Sequence, residues 1–171
     1  GLEIITITYR QAPEYQWPAG VIDVAAVYQQ LLETYDPADI GIFGCSAGGM
    51  LTAQSIAWFI EHDIPVPGAI GIHCAAADVL YQGDSRNWGR ALMGLEPKPW
   101  VSGYFRETDL NNPLVSPVLS PELLARFPPT LLISSTRAVE MSGAVNTHRQ
   151  LIKAGVEAEL HLWDGLYHAF F

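Results

Sequence analysis

The chain has 171 residues, of which 49% are hydrophobic and 16% are charged, so it is too apolar for a disordered segment. A net charge of −9, from 18 acidic and 9 basic residues, offers no electrostatic footprint for nucleic acid or anionic lipid. The sequence contains no uninterrupted apolar run of about 18 residues that would predict a membrane span. We therefore expect one soluble domain over residues 1–171.

Residues 2–9 open the chain as a strand-like apolar run, without a signal peptide before them. The other end is equally abrupt, because residues 169–171 read Ala-Phe-Phe and no polar tail or closing helix follows. We expect a chain cut at both ends. The lack of a signal peptide favours a cytoplasmic location, although a cut amino end weakens that inference.

Helix and strand alternate in the first half. Residues 18–35 carry apolar side chains at a spacing of three and four, which predicts one buried face of a helix. The short apolar run 40–43 fits a buried parallel strand. After a glycine-rich turn, residues 50–60 are apolar on nearly every side, which predicts a buried helix.

The second half continues this order. Strands are predicted at 68–74 and 130–135, each after proline breakers, and a last helix and strand at 142–154 and 157–163. Such alternation is typical of a mostly parallel sheet between two helical layers. With residues 2–9 included, we expect a three-layer α/β sandwich of about five strands.

Residues 84–121 break the alternation, since they are rich in Gly, Pro, Asn and aromatic residues. This segment is either an inserted cap with short helices or a long functional loop within the domain. Its aromatic side chains either line a substrate pocket or cover the core: Trp88, Trp100, Tyr104 and Phe105.

A serine turn stands between the strand predicted at 40–43 and the helix that follows. Residues 44–49 read Gly-Cys-Ser-Ala-Gly-Gly, a G-x-S-x-G pattern in which a sharp turn exposes the serine Oγ and only small neighbours fit. The new helix points free N–H groups at the same place, so the Ala47 N–H can donate to an oxyanion. Ser46 is the candidate nucleophile. The alternative is a chance Gly-Ser-Gly turn, which the flanking elements disfavour.

His168 is the candidate general base. A hydroxyl is a poor nucleophile until a base takes its proton, and the ordinary histidine pKa suits both accepting and returning that proton. His168 follows the last predicted strand, and the alternative is a loop histidine packed among aromatic neighbours. The other four histidines lie in predicted elements, where structural or solvated roles are expected: His62, His73, His148 and His161.

Four segments resemble the hormone-sensitive-lipase-like esterases of the α/β-hydrolase superfamily. Residues 9–14, Tyr-Arg-Gln-Ala-Pro-Glu, are similar to their Y-R-L-A-P-E, followed here by Trp-Pro-Ala. The serine turn resembles G-D-S-A-G-G, with Cys45 in place of Asp, and residues 129–134 and 163–170 are similar to the last two signatures. The resemblance implies a hydrolase of carboxylic esters with short acyl chains, with an acyl-enzyme on Ser46.

The acid of the catalytic triad is where the chain departs from this family. After the strand the family places an aspartate in a T-R-D setting, whereas residues 136–138 read Thr-Arg-Ala here. The Ala138 side chain cannot accept a hydrogen bond, so the acid position is vacant unless another carboxylate serves. Glu140 is the nearest substitute, although an acidic residue also suits the start of a helix.

Two further carboxylates are weighed for the same role. Asp78 follows the strand predicted at 68–74, where some α/β-hydrolases carry their acid, but a capping role in the turn is expected. Asp164 precedes His168 by four residues and is expected to form a turn with Gly165. No cofactor or metal is expected, because Cys45 and Cys74 lack zinc-site spacing and are interpreted as buried free thiols.

The family's His-Gly-Gly-Gly-type loop, which gives a second oxyanion donor, would precede residues 9–14 and is not in this sequence. Losing one such donor costs about 10² to 10³ in rate, so together with Ala138 it predicts impaired activity. The family strand that carries this loop would lie between residues 2–9 and 40–43. We expect residues 2–9 to move beside 40–43 or to form a homo-oligomer through this exposed edge, and part of the apolar surface to be exposed.

Three functions stay open. The first is a serine esterase for small-molecule esters, with impaired activity. The second is an inactive hydrolase-fold protein or fragment. The third is a thioesterase or peptidase, because acyl-transfer machinery is shared across leaving groups.

Overall fold

The computed structural model describes residues 1–80, 82–92, 94 and 103–171. Within these, four parallel strands form a sheet in the order β1-β2-β3-β4: Gly41–Cys45, Ala69–His73, Thr130–Ser135 and Ala158–Trp163. Each strand pairs in register with the next, so that Cys45 lies beside His73 and Ser135 lies beside Trp163. Because all four run in one direction, the loops after them leave from one edge of the sheet.

The described α-helices are α1 to α5: Ala19–Leu31, Ala47–Glu61, Ser85–Leu92, Pro121–Leu124 and Met141–Lys153. Short 3₁₀ helices lie at Pro37–Asp39, Gly103–Phe105 and Pro117–Leu119. The helices predicted at 18–35, 50–60 and 142–154 are thus confirmed to within a few residues. None of the described helices combines the length and apolar character needed to cross a membrane.

The main core lies between the helices and one face of the sheet. Strand residues Ile70, Ile72 and Leu132 are buried there, together with residues of α1, α2 and α5. In its centre the rings of Tyr28 and Phe59 stack with centroids 4.6 Å apart. Burial raises the pKa of Tyr28 to about 12, because the charged phenolate is poorly solvated there. Each large apolar side chain that is buried in this core stabilises the folded chain by about 1.5–3 kcal/mol, because it leaves water.

The alternate strand side chains point to the other face, which is partly open. Phe43 is 67% exposed and Trp163 is 53% exposed, while Leu131 and Ile133 are half-buried. The α/β class and the parallel sheet are confirmed. Among the described residues the sheet has four strands in place of about five. The expected exposure of apolar surface is also confirmed.

The strand predicted at residues 2–9 is wrong. These residues form no ladder with β1, and the side chains of Leu2 and Ile4 are 99% and 77% exposed. Side chains hold the segment instead, because Tyr9 packs at the start of α1 and the Tyr35 hydroxyl donates to Glu3 Oε2 at 2.6 Å. These contacts draw the segment towards α1 rather than to the free edge of β1. Pairing with a second copy stays a prediction.

Among its described residues, the segment 84–121 contains α3 and two 3₁₀ turns, and its assignment as a cap or as a loop stays a prediction. Its helix α3 is joined to the start of α5, since Ser85 Oγ donates to Val139 O at 2.9 Å and accepts from the Ser142 N–H at 2.8 Å. The 3₁₀ turn Gly103–Phe105 reaches the pocket described below. Trp100 lies outside the described residues.

Candidate active site

Ser46 occupies the sharp connection between β1, which ends at Cys45, and α2, which begins at Ala47. Its backbone has φ 57° and ψ −117°, a left-handed conformation that is costly for a residue with a Cβ. Hydrogen bonds hold this conformation, because the Ser46 N–H donates to His73 O at 2.9 Å and its carbonyl accepts from the Met50 N–H at 3.1 Å. The strained turn predicted for the nucleophile is therefore present.

Glycine is required on both sides of this turn by close packing. A Cβ on Gly44 would overlap the backbone of Gly48, and a Cβ on Gly49 would lie 2.8 Å from the Ala75 Cβ. At Gly48, by contrast, an added Cβ meets no atom within 4 Å. The pattern of small residues in the sequence thus follows from how tightly β1, the turn and α2 pack.

The structure brings Ser46, His168 and Glu140 into one hydrogen-bonded chain. Ser46 Oγ lies 2.9 Å from His168 Nε2, although 122 positions separate the two residues in sequence. On the other side of the ring, His168 Nδ1 lies 3.0 Å from Glu140 Oε2. Since a carboxylate only accepts, this contact places the ring proton on Nδ1 and leaves the Nε2 lone pair facing the serine hydroxyl.

The environment of His168 favours its charged form. The hydrogen bond that His168 donates to Glu140 raises the pKa of His168 above its ordinary value, with partial burial acting in the opposite direction. Glu140 is fully buried, whereas the His168 side chain is 31% exposed. An imidazolium formed at this position is therefore stabilised by the adjacent Glu140 carboxylate. Because that carboxylate is buried, water screens the attraction between the two charges only weakly.

Glu140 immediately precedes α5 but makes no side-chain cap to that helix. Its two oxygens face the site instead, because Oε1 accepts from Ser134 Oγ at 3.3 Å while Oε2 contacts His168. Ala138, the residue at the family's acid position, is buried in the turn before it. Of the two roles weighed for Glu140, the structure thus shows the contact that a substitute acid needs.

Hydroxyl side chains tie the loop after β3 to the loop that carries His168. Thr136 Oγ1 donates to Asp164 Oδ1 at 2.9 Å and accepts from the Gly165 N–H at 2.8 Å. Ser135 Oγ donates to the carbonyl of Tyr167, the residue before His168, at 3.1 Å. Sequence reasoning missed these residues, although three successive hydroxyl residues at the end of an apolar strand were a visible signal.

The other carboxylate candidates lie elsewhere. Asp78 is buried and accepts from the Leu80 and Gln82 N–H groups at 2.8 and 3.1 Å, which is the capping role expected for it. Asp164 serves the loop contact described above. The remaining histidines stay outside the relay and contact local carbonyls, a carboxylate or aromatic rings: His62, His73, His148 and His161.

A cavity of about 280 Å³ opens beside the serine turn. Ser46 and Ala47 form part of its wall, and Met50, Tyr104 and Phe105 add apolar and aromatic surface. As the first residue of α2, Ala47 has no carbonyl within the helix to accept its N–H. That N–H is therefore a candidate oxyanion donor on the wall of the cavity.

One cluster among the described residues has the donor atoms for a metal ion. A carboxylate oxygen of Glu140, a ring nitrogen of His168 and Cys74 Sγ all lie within 4.8 Å of one another. Cys45 and Cys74 are both free thiols. Cys74 is buried, as expected, while Cys45 is half-buried.

Comparisons with known proteins agree with this geometry. A family model described as "alpha/beta hydrolase fold" matches residues 1–171. An acetyl-hydrolase of Streptomyces hygroscopicus is 27% identical over 175 residues, which cover 99% of this chain and 58% of that protein. The putative acetyl-hydrolase LipR of Mycobacterium tuberculosis is 30% identical over 122 residues, covering 69% of this chain and 40% of that protein.

Solved structures show the same likeness. The crystal structure of an esterase E25 superposes with a TM-score of 0.83 at 35% identity, over 94% of this chain and 50% of that chain. A hormone-sensitive lipase from a metagenome library gives a TM-score of 0.85 at 29% identity, over 95% and 57%. This chain thus spans about half the length of these relatives. Because the family model matches it from end to end, the chain belongs to the α/β-hydrolase fold family, on its hormone-sensitive-lipase-like esterase branch.

Proposed function

We propose that this chain carries the catalytic centre of a serine hydrolase that cleaves carboxylic esters with short acyl chains. The observation that carries the proposal is the continuous hydrogen-bonded relay from Ser46 Oγ through the His168 ring to the Glu140 carboxylate. Related proteins are named acetyl-hydrolase and esterase, which supports the same reaction class.

In the first half-reaction, Ser46 Oγ attacks the ester carbonyl carbon while His168 Nε2 takes the hydroxyl proton. The carbonyl π electrons move to oxygen, and the resulting oxyanion lies towards the Ala47 N–H. Glu140 stabilises the imidazolium that forms. When the tetrahedral intermediate collapses, His168 returns the proton to the leaving alcohol, and the acyl group stays bonded to Ser46 Oγ.

In the second half-reaction, water takes the place of the alcohol. His168 Nε2 accepts a proton from the water as its oxygen attacks the acyl carbon, and the same proton then returns to Ser46 Oγ. The carboxylic acid leaves and the relay is restored. Glu140 holds the ring orientation throughout, because its hydrogen bond keeps the Nε2 lone pair directed at the serine.

The size and the lining of the cavity favour a substrate with a small acyl or alcohol group. The cavity's volume of about 280 Å³ lies just below the range of about 300–1,000 Å³ that is typical of ligand pockets, and Met50 and Phe105 give it apolar walls. The Ala47 N–H supplies one oxyanion donor, and each such donor is worth about 10² to 10³ in rate. The chain spans about half the length of its relatives, and we propose the same ester hydrolysis both for this chain alone and for a longer protein that contains it.

The test is hydrolysis of p-nitrophenyl acetate compared with a long-chain p-nitrophenyl ester. We expect the acetate to be cleaved faster, and Ser46→Ala to reduce turnover to the uncatalysed rate. Ser55→Ala is the matched control, since Ser55 is buried in α2, the helix that follows Ser46, and its hydroxyl makes no hydrogen bond in the described structure. Hydrolysis of a thioester without hydrolysis of oxygen esters would favour the thioesterase alternative and contradict this proposal.

A further inference from the structure

Cys74 lies next to the candidate active site but takes no part in the proton relay. It follows β2, and its backbone N–H donates to Ile133 O at 2.7 Å. Its Sγ lies within 4.8 Å of a Glu140 carboxylate oxygen and of a His168 ring nitrogen. The three residues belong to the loops after β2, β3 and β4, so the strand order itself brings their side chains together.

A thiol, a carboxylate and an imidazole form a donor set that zinc-like cations prefer. Zn²⁺ binds sulfur, nitrogen and oxygen ligands at about 2.0 to 2.3 Å in a tetrahedral arrangement, which separates ligand atoms by about 3.5 Å. No two of the donor atoms are more than 4.8 Å apart, so the longest separation has to shorten by at most about 1.3 Å to reach that spacing.

Charge balance also favours a divalent cation here. Cys74 is a free thiol and is buried beside the Glu140 carboxylate. A coordinated cation deprotonates such a thiol, because its charge stabilises the thiolate. Binding therefore releases one proton to solvent. The Cys74 thiolate and the Glu140 carboxylate then neutralise the two positive charges, and no net charge is left in the buried site.

We infer that Cys74, Glu140 and His168 form a binding site for a thiophilic divalent cation such as Zn²⁺ or Cd²⁺, and that its occupation stops the proton relay. The inhibitory part rests on the function proposed above. Coordination through His168 Nδ1 uses the lone pair of that atom, so the ring proton moves to Nε2. In that tautomer Nε2 donates towards Ser46 Oγ and cannot accept its proton, and the serine loses its base.

The direct test is titration of the full chain with Cd²⁺, followed through the ultraviolet absorption of cadmium–thiolate bonds. We expect a single bound Cd²⁺. In Cys74→Ser, a near-isosteric change, affinity should fall by more than about tenfold, because loss of even an outer partner of a metal ligand costs about 10- to 100-fold. Glu140→Gln should also weaken binding, and it serves as the second variant if Cys74→Ser does not fold.

Cys45→Ser is the matched control. Cys45 is the other free thiol of the described structure but is not one of the three donors, so the variant should keep both the absorption band and the affinity. A band that survives in Cys74→Ser would overturn the inference. So would equal loss of the band in both cysteine variants, because the site would then be the thiol pair.

Activity gives the second readout. Zn²⁺ should abolish hydrolysis of p-nitrophenyl acetate and a chelator should restore it, whereas Mg²⁺, which prefers oxygen ligands, should have no effect. Cys74→Ser should remain active at the same Zn²⁺ concentration, and equal inhibition of this variant would contradict the inference. Because the absorption does not depend on turnover, an inactive chain still tests the metal site, and an active chain that binds no Cd²⁺ refutes that site alone.

Discussion

Glu140 and His168, 28 positions apart in sequence, are joined by a contact of 3.0 Å between Oε2 and Nδ1. The contact exists because β3 and β4 are neighbours and the loops after them leave the same edge of the sheet. Thr136 links these loops further through Asp164 and Gly165. A glutamate two residues beyond the family's acid position thus reaches the ring, helped by a side chain one methylene longer than aspartate.

The first prediction concerns Glu140→Gln. The amide can hold the wrong ring tautomer and no longer stabilises the imidazolium, so kcat should fall by about 10³ to 10⁴. The measurement is steady-state hydrolysis of p-nitrophenyl acetate. Glu159→Gln is the matched control, because Glu159 also contacts a histidine, His161, but on the exposed surface of β4. Wild-type turnover in Glu140→Gln would show that the relay does not need this carboxylate.

The second prediction concerns Ala138→Asp, which restores the family's residue. Ala138 is fully buried, so a new carboxylate there would be buried in the same turn as the Glu140 carboxylate. We expect no gain in turnover and a lower free energy of unfolding, by about 2 kcal/mol or more for an unpaired buried charge. Chemical denaturation and ester hydrolysis measure the two effects. A faster enzyme would mean that Ala138 does leave the acid position vacant.

The third prediction is the pH dependence of turnover. Only neutral His168 can accept the serine proton, and the Glu140 hydrogen bond raises the pKa of His168 above 6.5. The acidic limb of kcat/KM should therefore lie above pH 6.5 in the wild type. In Glu140→Gln the raising contact is lost and burial still lowers the pKa, so the limb should move to lower pH. If the acidic limb were unchanged in Glu140→Gln, the group that titrates there would not be His168.

The same pKa shift has a consequence for stability. A histidine whose pKa is raised in the folded chain binds its proton more tightly there than in the unfolded chain. Its contribution to the free energy of unfolding is therefore complete below about pH 6.5 and is lost as the pH rises through the folded-state pKa. Denaturation of the wild type and of Glu140→Gln across this range should show a difference that shrinks as the pH rises.

The fourth prediction compares two glycines of the serine turn. An alanine Cβ at Gly44 would overlap the Gly48 backbone, so Gly44→Ala should lower the free energy of unfolding by about 1–3 kcal/mol or more. At Gly48 the same methyl group meets open space within α2, and Gly48→Ala should be neutral or stabilise by up to about 1 kcal/mol. Thermal unfolding measures both. Equal effects would show that the turn is packed differently.

Much of this site could be predicted from local sequence. The G-x-S-x-G turn lies between a short apolar run and a helical pattern, and those neighbours decide that Ser46 stands at the end of a strand. His168 follows the last predicted strand, in a segment that resembles the family's closing signature. The predictions of Ser46 and His168 use short-range information, because neighbouring residues determine the backbone conformation of a turn and the order of helices and strands.

Other features depended on contacts that the sequence does not display. Residues 2–9 have a strand pattern, but a strand forms only where a neighbouring strand offers its backbone groups, and here Tyr9 packs beside α1 instead. The role of Glu140 was equally hidden, because an acidic residue before a helix has an ordinary explanation. The cluster that includes Cys74 escaped spacing rules for metal sites, since its three donors come from three separate loops.

Labelling of the full chain with a fluorophosphonate, followed by mass spectrometry of its peptides, tests the central claim most directly. Phosphonylation needs a serine whose proton is removed by an adjacent base, but it needs no ester substrate. We predict one labelled residue, Ser46, with no label in Ser46→Ala and much slower labelling in Glu140→Gln. An unlabelled chain, or a label on another residue, would contradict the proposal that Ser46, His168 and Glu140 form a working relay.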